Sequence, residues 1–306
     1  MKNLIIVSLF FAAFSANASL WDLTYQGHNL GNYSVNGKKL KISKGKGEAF
    51  TPEHQKMYLE LRKKGKENSY FPFQWKLVNL STGETIDQSK AIDKVFYGAS
   101  STKIMVGSAF LQKEQNPFES VYFQNLLDMI VVSSNSAWKI VQKAIGNGDM
   151  EKGRLFIHQF TKDLGLDRTR GYWGYSSSMN GLHGNEINVV EFMKFMEMLY
   201  RGEFKGSELI FKIMLTGQKG YDMAKRLLPT SVMIANKGGR CDCRTLNPDT
   251  ESGTYPDGTP FRVYVRHQSL FLRHNNVDYA MVILSDLGEE IDLSVMAAGL
   301  FYEFIQ

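Results

Sequence analysis

Residues 95–103 read VFYGASSTK, and an amphipathic helical pattern follows directly from them. Ser100 and Lys103 form an S-x-x-K pair, and on a helix this spacing places both side chains on one face, one turn apart. A serine hydroxyl is a poor nucleophile until a neighbour takes its proton, which a lysine desolvated in a cleft can do. The pair predicts a nucleophile with its base, although the same spacing also arises by chance.

Two further motifs follow in the chain, an S-x-N at 133–135 and a K-x-G at 237–239. Ser133 could deliver a proton to a leaving nitrogen, and Asn135 could bind a substrate amide. A helix cap is the simpler interpretation of that motif. Lys237 ends a predicted strand and could hold a substrate carboxylate, while the glycines admit the substrate to the backbone. Taken alone, Lys237 could equally be a solvated lysine before a turn.

The predicted elements fall into three blocks along the chain. A helix beginning at Thr51 and Pro52 precedes strands at 73–80 and 84–86. The middle of the chain is helical, and strands return at 232–235, 261–272 and 279–285 before a last helix at 291–305. This order predicts an α/β (α+β) fold, in which an antiparallel sheet from the two termini is flanked by helices and a helical subdomain is inserted in the middle.

The first residues resemble a secretory signal peptide. Lys2 precedes a short apolar stretch, and Ala16-Asn17-Ala18 forms an A-x-A cleavage site. We expect cleavage after Ala18 and a periplasmic or secreted protein with no integral membrane segment, an uncleaved anchor being the alternative. The expected divisions are a signal peptide (1–18), an N-terminal extension (19–50), for which a small strand pair is the other interpretation, and one hydrolase domain (51–306).

Composition narrows the possible partners. The formal net charge is +5 without a long Lys/Arg run, which does not suggest nucleic-acid binding. Cys241 and Cys243 form a C-x-C, which excludes a disulfide framework and lacks the spacing of a zinc site. A strained bridge between them is possible, but two unpaired thiols are favoured. We expect a monomer that needs no metal and no cofactor.

Jointly, the three motifs resemble the class A β-lactamase and penicillin-binding protein family. The sequences of residues 95–100, 126–137 and 162–170 are also similar to that family, which implies a β-lactamase/transpeptidase-like fold. The resemblance implies that Ser100 is acylated, with Lys103 as base or proton relay, and that Ser133 protonates the lactam nitrogen.

The resemblance also assigns roles in substrate binding. It implies that Asn135 binds the side-chain amide and that Lys237, in the motif that ends at Gly239, binds the carboxylate. The backbone N–H groups of Ser100 and Arg240 would form an oxyanion hole. Arg266 resembles the arginine that supports carboxylate binding, and a surface strand arginine is the other interpretation.

The chain departs from the family at four places. Class A enzymes activate the deacylating water with an ω-loop glutamate, but residues 171–181 contain no carboxylate, and Glu186 is the nearest acid downstream. The K-G-G motif lacks a hydroxyl, and Ser134 replaces a common aspartate. The segment between Ser100 and Ser133 is also short, which predicts an open cleft.

Three functions therefore remain open from the sequence. The first is a secreted serine hydrolase that opens β-lactam amides through a Ser100 acyl-enzyme. The second is a D-Ala-D-Ala peptidase or acyl-transferase acting on peptidoglycan stem peptides, which the missing carboxylate and the open cleft favour. The third is a non-catalytic envelope binding protein that kept the fold.

Overall fold

The computed structural model describes residues 18–169, 185–217, 223–244, 262–287 and 289–306. Predictions for the signal peptide up to residue 17 and for the ω-loop stretch at 171–181 lie outside these residues. The helices are α1 (Pro52–Glu67), α2 (Lys103–Lys113), α3 (Phe123–Val131), α4 (Asn135–Ile145), α5 (Met150–Asp163), α6 (Val189–Arg201), α7 (Ser207–Met214) and α8 (Glu290–Phe304). The strands are β1 (Thr24–Tyr25), β2 (His28–Asn29), β3 (Ser34–Val35), β4 (Lys38–Lys39), β5 (Phe73–Asn79), β6 (Glu84–Gln88), β7 (Phe96–Tyr97), β8 (Glu186–Ile187), β9 (Met233–Arg244), β10 (Arg262–His274) and β11 (Val277–Ser285).

Both ends of the chain build one five-stranded sheet. Its strand order is β6-β5-β11-β10-β9, and every neighbouring pair is antiparallel. The helices from α2 to α7 lie between β6 and β9 in the sequence. The predicted architecture, a terminal sheet with a helical insertion, is therefore confirmed.

Helices cover both faces of the sheet, so the central strand β11 is apolar on each side. Met281 and Ile283 belong to the core shared with α1 and α8, whereas Ala280 and Val282 belong to the core shared with the helical insertion. Successive side chains of a strand point to opposite faces, and a strand buried on both faces needs apolar residues throughout. This explains why β11 lacks a polar alternation.

Helix α1 begins as the sequence predicts. The Thr51 hydroxyl accepts the His54 N–H at 3.3 Å, and Pro52 stands at the first helical position, where its missing N–H costs nothing. The helix lies close to the sheet at Gly65, where a Cβ atom would fall 2.1 Å from the Trp75 ring. A glycine is therefore required at this point of contact.

Two predictions about the C-terminal strands are wrong. Strand β9 does not end at Lys237 but continues to Arg244, because it pairs with β10 over its whole length and this pairing outweighs the low strand propensity of the two glycines. The favoured pair of free thiols is also wrong, since Cys241 is disulfide-bonded. The alternative that the sequence left open, a bridge, therefore applies to Cys241.

The N-terminal extension forms two short hairpins, β1–β2 and β3–β4, in line with the predicted strand pair. Leu30, Val35 and Leu40 are buried in the core of the helical insertion. The extension is thereby anchored to the body of the protein. No helix among the described residues is long and apolar enough to cross a membrane.

Candidate active site

Ser100 lies in a tight turn between β7 and α2. A 3-10 turn spans Ala99–Thr102, and the Lys103 N–H donates to the Ser100 carbonyl, so the two residues are one turn apart. Ala99 has a φ of 45°, a left-handed conformation that is rare for a residue with a Cβ atom. Such a conformation persists only where the surroundings hold it, and two buried side chains do so here.

Asn185 is the first of these side chains. The Asn185 backbone carbonyl accepts the Gly98 N–H at 2.7 Å, and the side-chain Nδ2 donates to the Ala99 carbonyl at 3.0 Å. Its Oδ1 accepts the Thr102 hydroxyl at 2.8 Å. Asn185, which is fully buried, thus holds three positions around Ser100 through its backbone and its side chain, a role that no sequence pattern predicts.

His267, on β10, is the second. Its Nδ1 accepts the Ser285 N–H at 3.2 Å, so the ring proton resides on Nε2, which donates to the Tyr97 carbonyl at 2.7 Å. Burial is the main cause that lowers the pKa of this imidazole, which favours the neutral ring. His267 thereby ties the strand leading to Ser100 to the central sheet.

Ser133 lies between α3 and α4, and its hydroxyl is the meeting point of two lysines. Lys237 Nζ donates to Ser133 Oγ at 2.9 Å, and Lys103 Nζ lies 3.3 Å from the same oxygen. Ser133 has a φ of 60°, a second left-handed residue at this site. Its neighbour Ser134 caps α4 by accepting the Ala137 N–H, so the capping role belongs to Ser134.

Lys103 is fully buried and has only neutral partners among the described residues. Its ammonium donates to the Ser133 carbonyl at 2.5 Å and to Asn135 Oδ1 at 2.6 Å, and it lies 4.9 Å from the centroid of a Trp138 ring. Burial, followed by the charge of Lys237, holds the pKa of Lys103 well below its ordinary value. A lysine in this environment readily gives up its proton and becomes a base.

Lys237 is buried in the same way. Besides Ser133 Oγ, its ammonium donates to the Gly238 carbonyl at 2.8 Å. Burial lowers the pKa of Lys237 from 10.5 to about 7. Two easily deprotonated amines thus flank one hydroxyl, which is a suitable arrangement for moving a proton through that hydroxyl.

Gly239 brings β9 into contact with the turn that carries Ser100. A Cβ atom at this position would lie 2.6 Å from Ser101 Oγ and 3.1 Å from the Gly98 carbonyl oxygen. The second glycine of the K-G-G motif is therefore needed for close packing of the strand against this turn.

The two arginines expected near the substrate have other partners. Arg240 donates to Glu290 at 2.6 Å, and its side chain is exposed. Arg266 lies opposite Arg240 in the β9–β10 register, is buried, and forms a 2.7 Å ion pair with Asp242. Hydrogen bonding from Arg266 lowers the pKa of Asp242. Within the part of the chain that the structure describes, the buried Arg266 Nε has no hydrogen-bond partner.

The structure thus brings Lys103, Ser133, Asn135 and Lys237 together through direct hydrogen bonds, with Ser100 one turn from Lys103. Nothing in the described ranges groups three His, Cys, Asp or Glu side chains as a metal site would require. In the sequence, residues 170–184 contain no Asp or Glu. The groups that could do chemistry at this site are the Ser100 hydroxyl, two lysine amines and the Ser133 hydroxyl that bonds to both amines.

Comparisons with known proteins agree with this architecture. The chain has a TM-score of 0.61 to the TLA-3 extended-spectrum β-lactamase, with 14% identity over 83% of this chain and 100% of that one. It has a TM-score of 0.60 to a β-lactamase from Chitinophaga pinensis DSM 2588, with 15% identity over 83% and 100% of the two chains. A β-lactamase from Streptosporangium roseum gives 0.59, with 13% identity over 83% and 98%.

These likenesses establish the fold. No curated protein matches the sequence at a significant level. The family model described as the β-lactamase enzyme family matches residues 120–291, which is more than half of the chain. The chain therefore belongs to the β-lactamase enzyme family.

Proposed function

We propose that the protein is a serine hydrolase that opens β-lactam amides through an acyl-enzyme on Ser100. The observation that carries this proposal is the pair of buried lysines on the Ser133 hydroxyl, one turn from Ser100. Burial holds the pKa of Lys103 well below its ordinary value, which favours the neutral amine that a base requires.

In the proposed reaction, neutral Lys103 takes the proton of Ser100, whose Oγ attacks the carbonyl carbon of the lactam. The backbone N–H groups of Ser100 and Arg240 hold the oxyanion. When the C–N bond breaks, the Ser133 hydroxyl gives its proton to the leaving nitrogen and regains one from a lysine ammonium. Asn135 holds the substrate amide.

The substrate carboxylate is assigned to Lys237 in this proposal. The missing hydroxyl of the K-G-G motif removes one donor, and Arg266 on the neighbouring strand β10 is the proposed replacement. Gly239 keeps the strand close enough to Ser100 for both ends of the substrate to be held at once.

Turnover of a chromogenic cephalosporin tests this proposal. We expect a burst of one opened cephalosporin per protein molecule, followed by slow turnover, in the wild type. Ser100→Ala should show neither phase, and Ser101→Ala is the matched control because that neighbouring hydroxyl is buried and has no hydrogen-bond partner among the described residues. Equal cephalosporin opening by Ser100→Ala would rule out the assigned nucleophile.

A second candidate is a peptidase or acyl-transferase acting on D-Ala-D-Ala ends of peptidoglycan. The absence of Asp and Glu from residues 170–184 favours it, because the acyl-enzyme then lacks the family's deacylating base and would persist or pass to an amine. Release of D-alanine from muropeptides, followed by mass spectrometry, tests this candidate. Muropeptides that stay intact over a long incubation would eliminate it.

The N-terminal sequence supports export, with cleavage after Ala18, to the periplasm or the medium. Sequencing the first residues of the protein recovered from those fractions tests this part of the proposal. A mature chain that retains Lys2 would contradict it.

A further inference from the structure

A groove of about 710 Å³ lies where the N-terminal extension meets the helical insertion. We call it the lysine groove. One side carries lysines of the extension and the other side carries residues of the protein body: Lys38, Lys39 and Lys41 face Val132, Thr216 and Gly217. Pockets of this volume are large enough to bury a small molecule or a short peptide segment.

The wall formed by the extension is fixed in place by backbone hydrogen bonds. The Ser43 N–H donates to the Leu215 carbonyl at 2.8 Å, and the Ile234 N–H donates to the Ser43 carbonyl at 2.9 Å. Lys225 Nζ adds a 2.5 Å hydrogen bond to Ser43 Oγ. The groove is therefore a built feature and not a gap beneath a loose tail.

The groove adjoins the candidate active site on two sides. Val132 immediately precedes Ser133, whose hydroxyl bonds to both lysines of the site. Gly217 packs against Asn236, since a Cβ atom at Gly217 would lie 2.8 Å from Asn236 Oδ1. Asn236 in turn precedes Lys237. The groove therefore lies next to the segments that carry Ser133 and Lys237.

The lining of the groove is cationic. Residues 36–46 contain five lysines and no acidic residue, and no Asp or Glu lines the groove among the described residues. Lys39 and Lys41 are exposed, and in the described part of the chain neither ammonium has an ion-pair partner. Exposed ammonium groups on flexible stems are suited to carboxylates arriving at varied angles.

We propose that the lysine groove binds the acidic part of a peptide substrate whose scissile amide is at Ser100. This inference rests on the peptidase candidate of the proposed function for the choice of ligand, because the groove lies next to the site assigned there to amide cleavage. The carboxylates would pair with Lys39 and Lys41, outside the acylation chemistry.

Binding of a fluorescein-labelled tetraglutamate peptide, followed by anisotropy at low salt, tests the proposal. The wild type should bind it more tightly than the matched tetraglutamine peptide. Lys39→Gln/Lys41→Gln should weaken binding about fivefold, the loss expected for two exposed ion pairs. The matched control is Lys44→Gln/Lys46→Gln, which removes two exposed charges of the same segment outside the groove lining and should bind as the wild type does.

Other outcomes overturn the proposal. Equal binding of both peptides, or equal weakening by both double variants, would mean a diffuse charge effect. Equal affinity for an oligothymidylate would mean a surface that attracts any polyanion. Ser100→Ala should retain tetraglutamate binding, and the groove variant should retain acylation by benzylpenicillin. A failure of acylation in every protein would therefore refute the proposed function while leaving the binding result readable.

Discussion

The buried ammonium of Lys237 should make the stability of the protein depend on pH in a predictable direction. Its pKa falls from 10.5 to about 7 because burial removes water from the charged form. Below the folded value both the folded and the unfolded chain carry the proton. Between the two values only the unfolded chain carries it, so the free energy of unfolding rises with pH across this window.

The size of this effect follows from the two pKa values. Each unit of pKa shift is worth about 1.4 kcal/mol, so the full window corresponds to roughly 5 kcal/mol. From about pH 7 to about pH 9, with the folded group half titrated at the start, the expected gain is about 2 kcal/mol. Lys237→Met should not show this gain in stability with pH. The variant also loses the hydrogen bonds to Ser133 and Gly238, and this loss lowers its stability at both pH values.

Urea unfolding of the wild type and Lys237→Met at the two pH values measures the effect. The free energy of unfolding of the wild type, minus that of the variant, should be about 2 kcal/mol larger at the higher pH. Lys212→Met is the control, because it removes an equally buried ammonium that is ion-paired with Asp22 at 2.9 Å and should lower stability at both pH values. A difference for Lys237→Met that does not change with pH would refute a desolvated ammonium at this position.

Three further changes at the site have defined outcomes. Gly239→Ala should destabilise the protein by about 1–3 kcal/mol in thermal unfolding, because its Cβ would overlap the turn, and adding Ser101→Ala should recover part of this loss. An unchanged Gly239→Ala melting curve would contradict the close contact. Lys103→Met should abolish acylation by benzylpenicillin in stopped-flow measurements, whereas Ser133→Ala should only slow it; equal rates in all three proteins would exclude both from proton transfer. His267→Phe should cost about 2–6 kcal/mol by leaving two buried backbone groups unpaired, and wild-type stability in that variant would show that the ring is dispensable.

Motif spacing predicts much of this site because its central residues are held by local structure. Ser100 and Lys103 share one turn, and Ser133 and Asn135 flank the start of one helix. The strand pattern predicts the sheet for a similar reason, since β11 needs apolar residues on both faces. Neither signal depends on long-range contacts.

The parts that sequence reasoning missed depend on contacts between distant segments. Asn185 and His267 support the Ser100 turn from elsewhere in the chain, and nothing in their neighbouring residues indicates it. The ion pair of Arg266 with Asp242 and the extension of β9 past Lys237 follow from the β9–β10 register. Such pairing is set by tertiary structure, which outweighs local propensity.

Intact-protein mass spectrometry over time after mixing with benzylpenicillin tests the central claim most directly. Buried Lys103 can activate Ser100, and residues 170–184 contain no Asp or Glu to activate a deacylating water. The wild type should therefore give a lasting adduct that carries the whole mass of the drug. Ser100→Ala should remain unmodified. Absence of both an adduct and hydrolysed drug, or an adduct of the same mass on Ser100→Ala, would contradict the claim that Ser100 is the acylated residue.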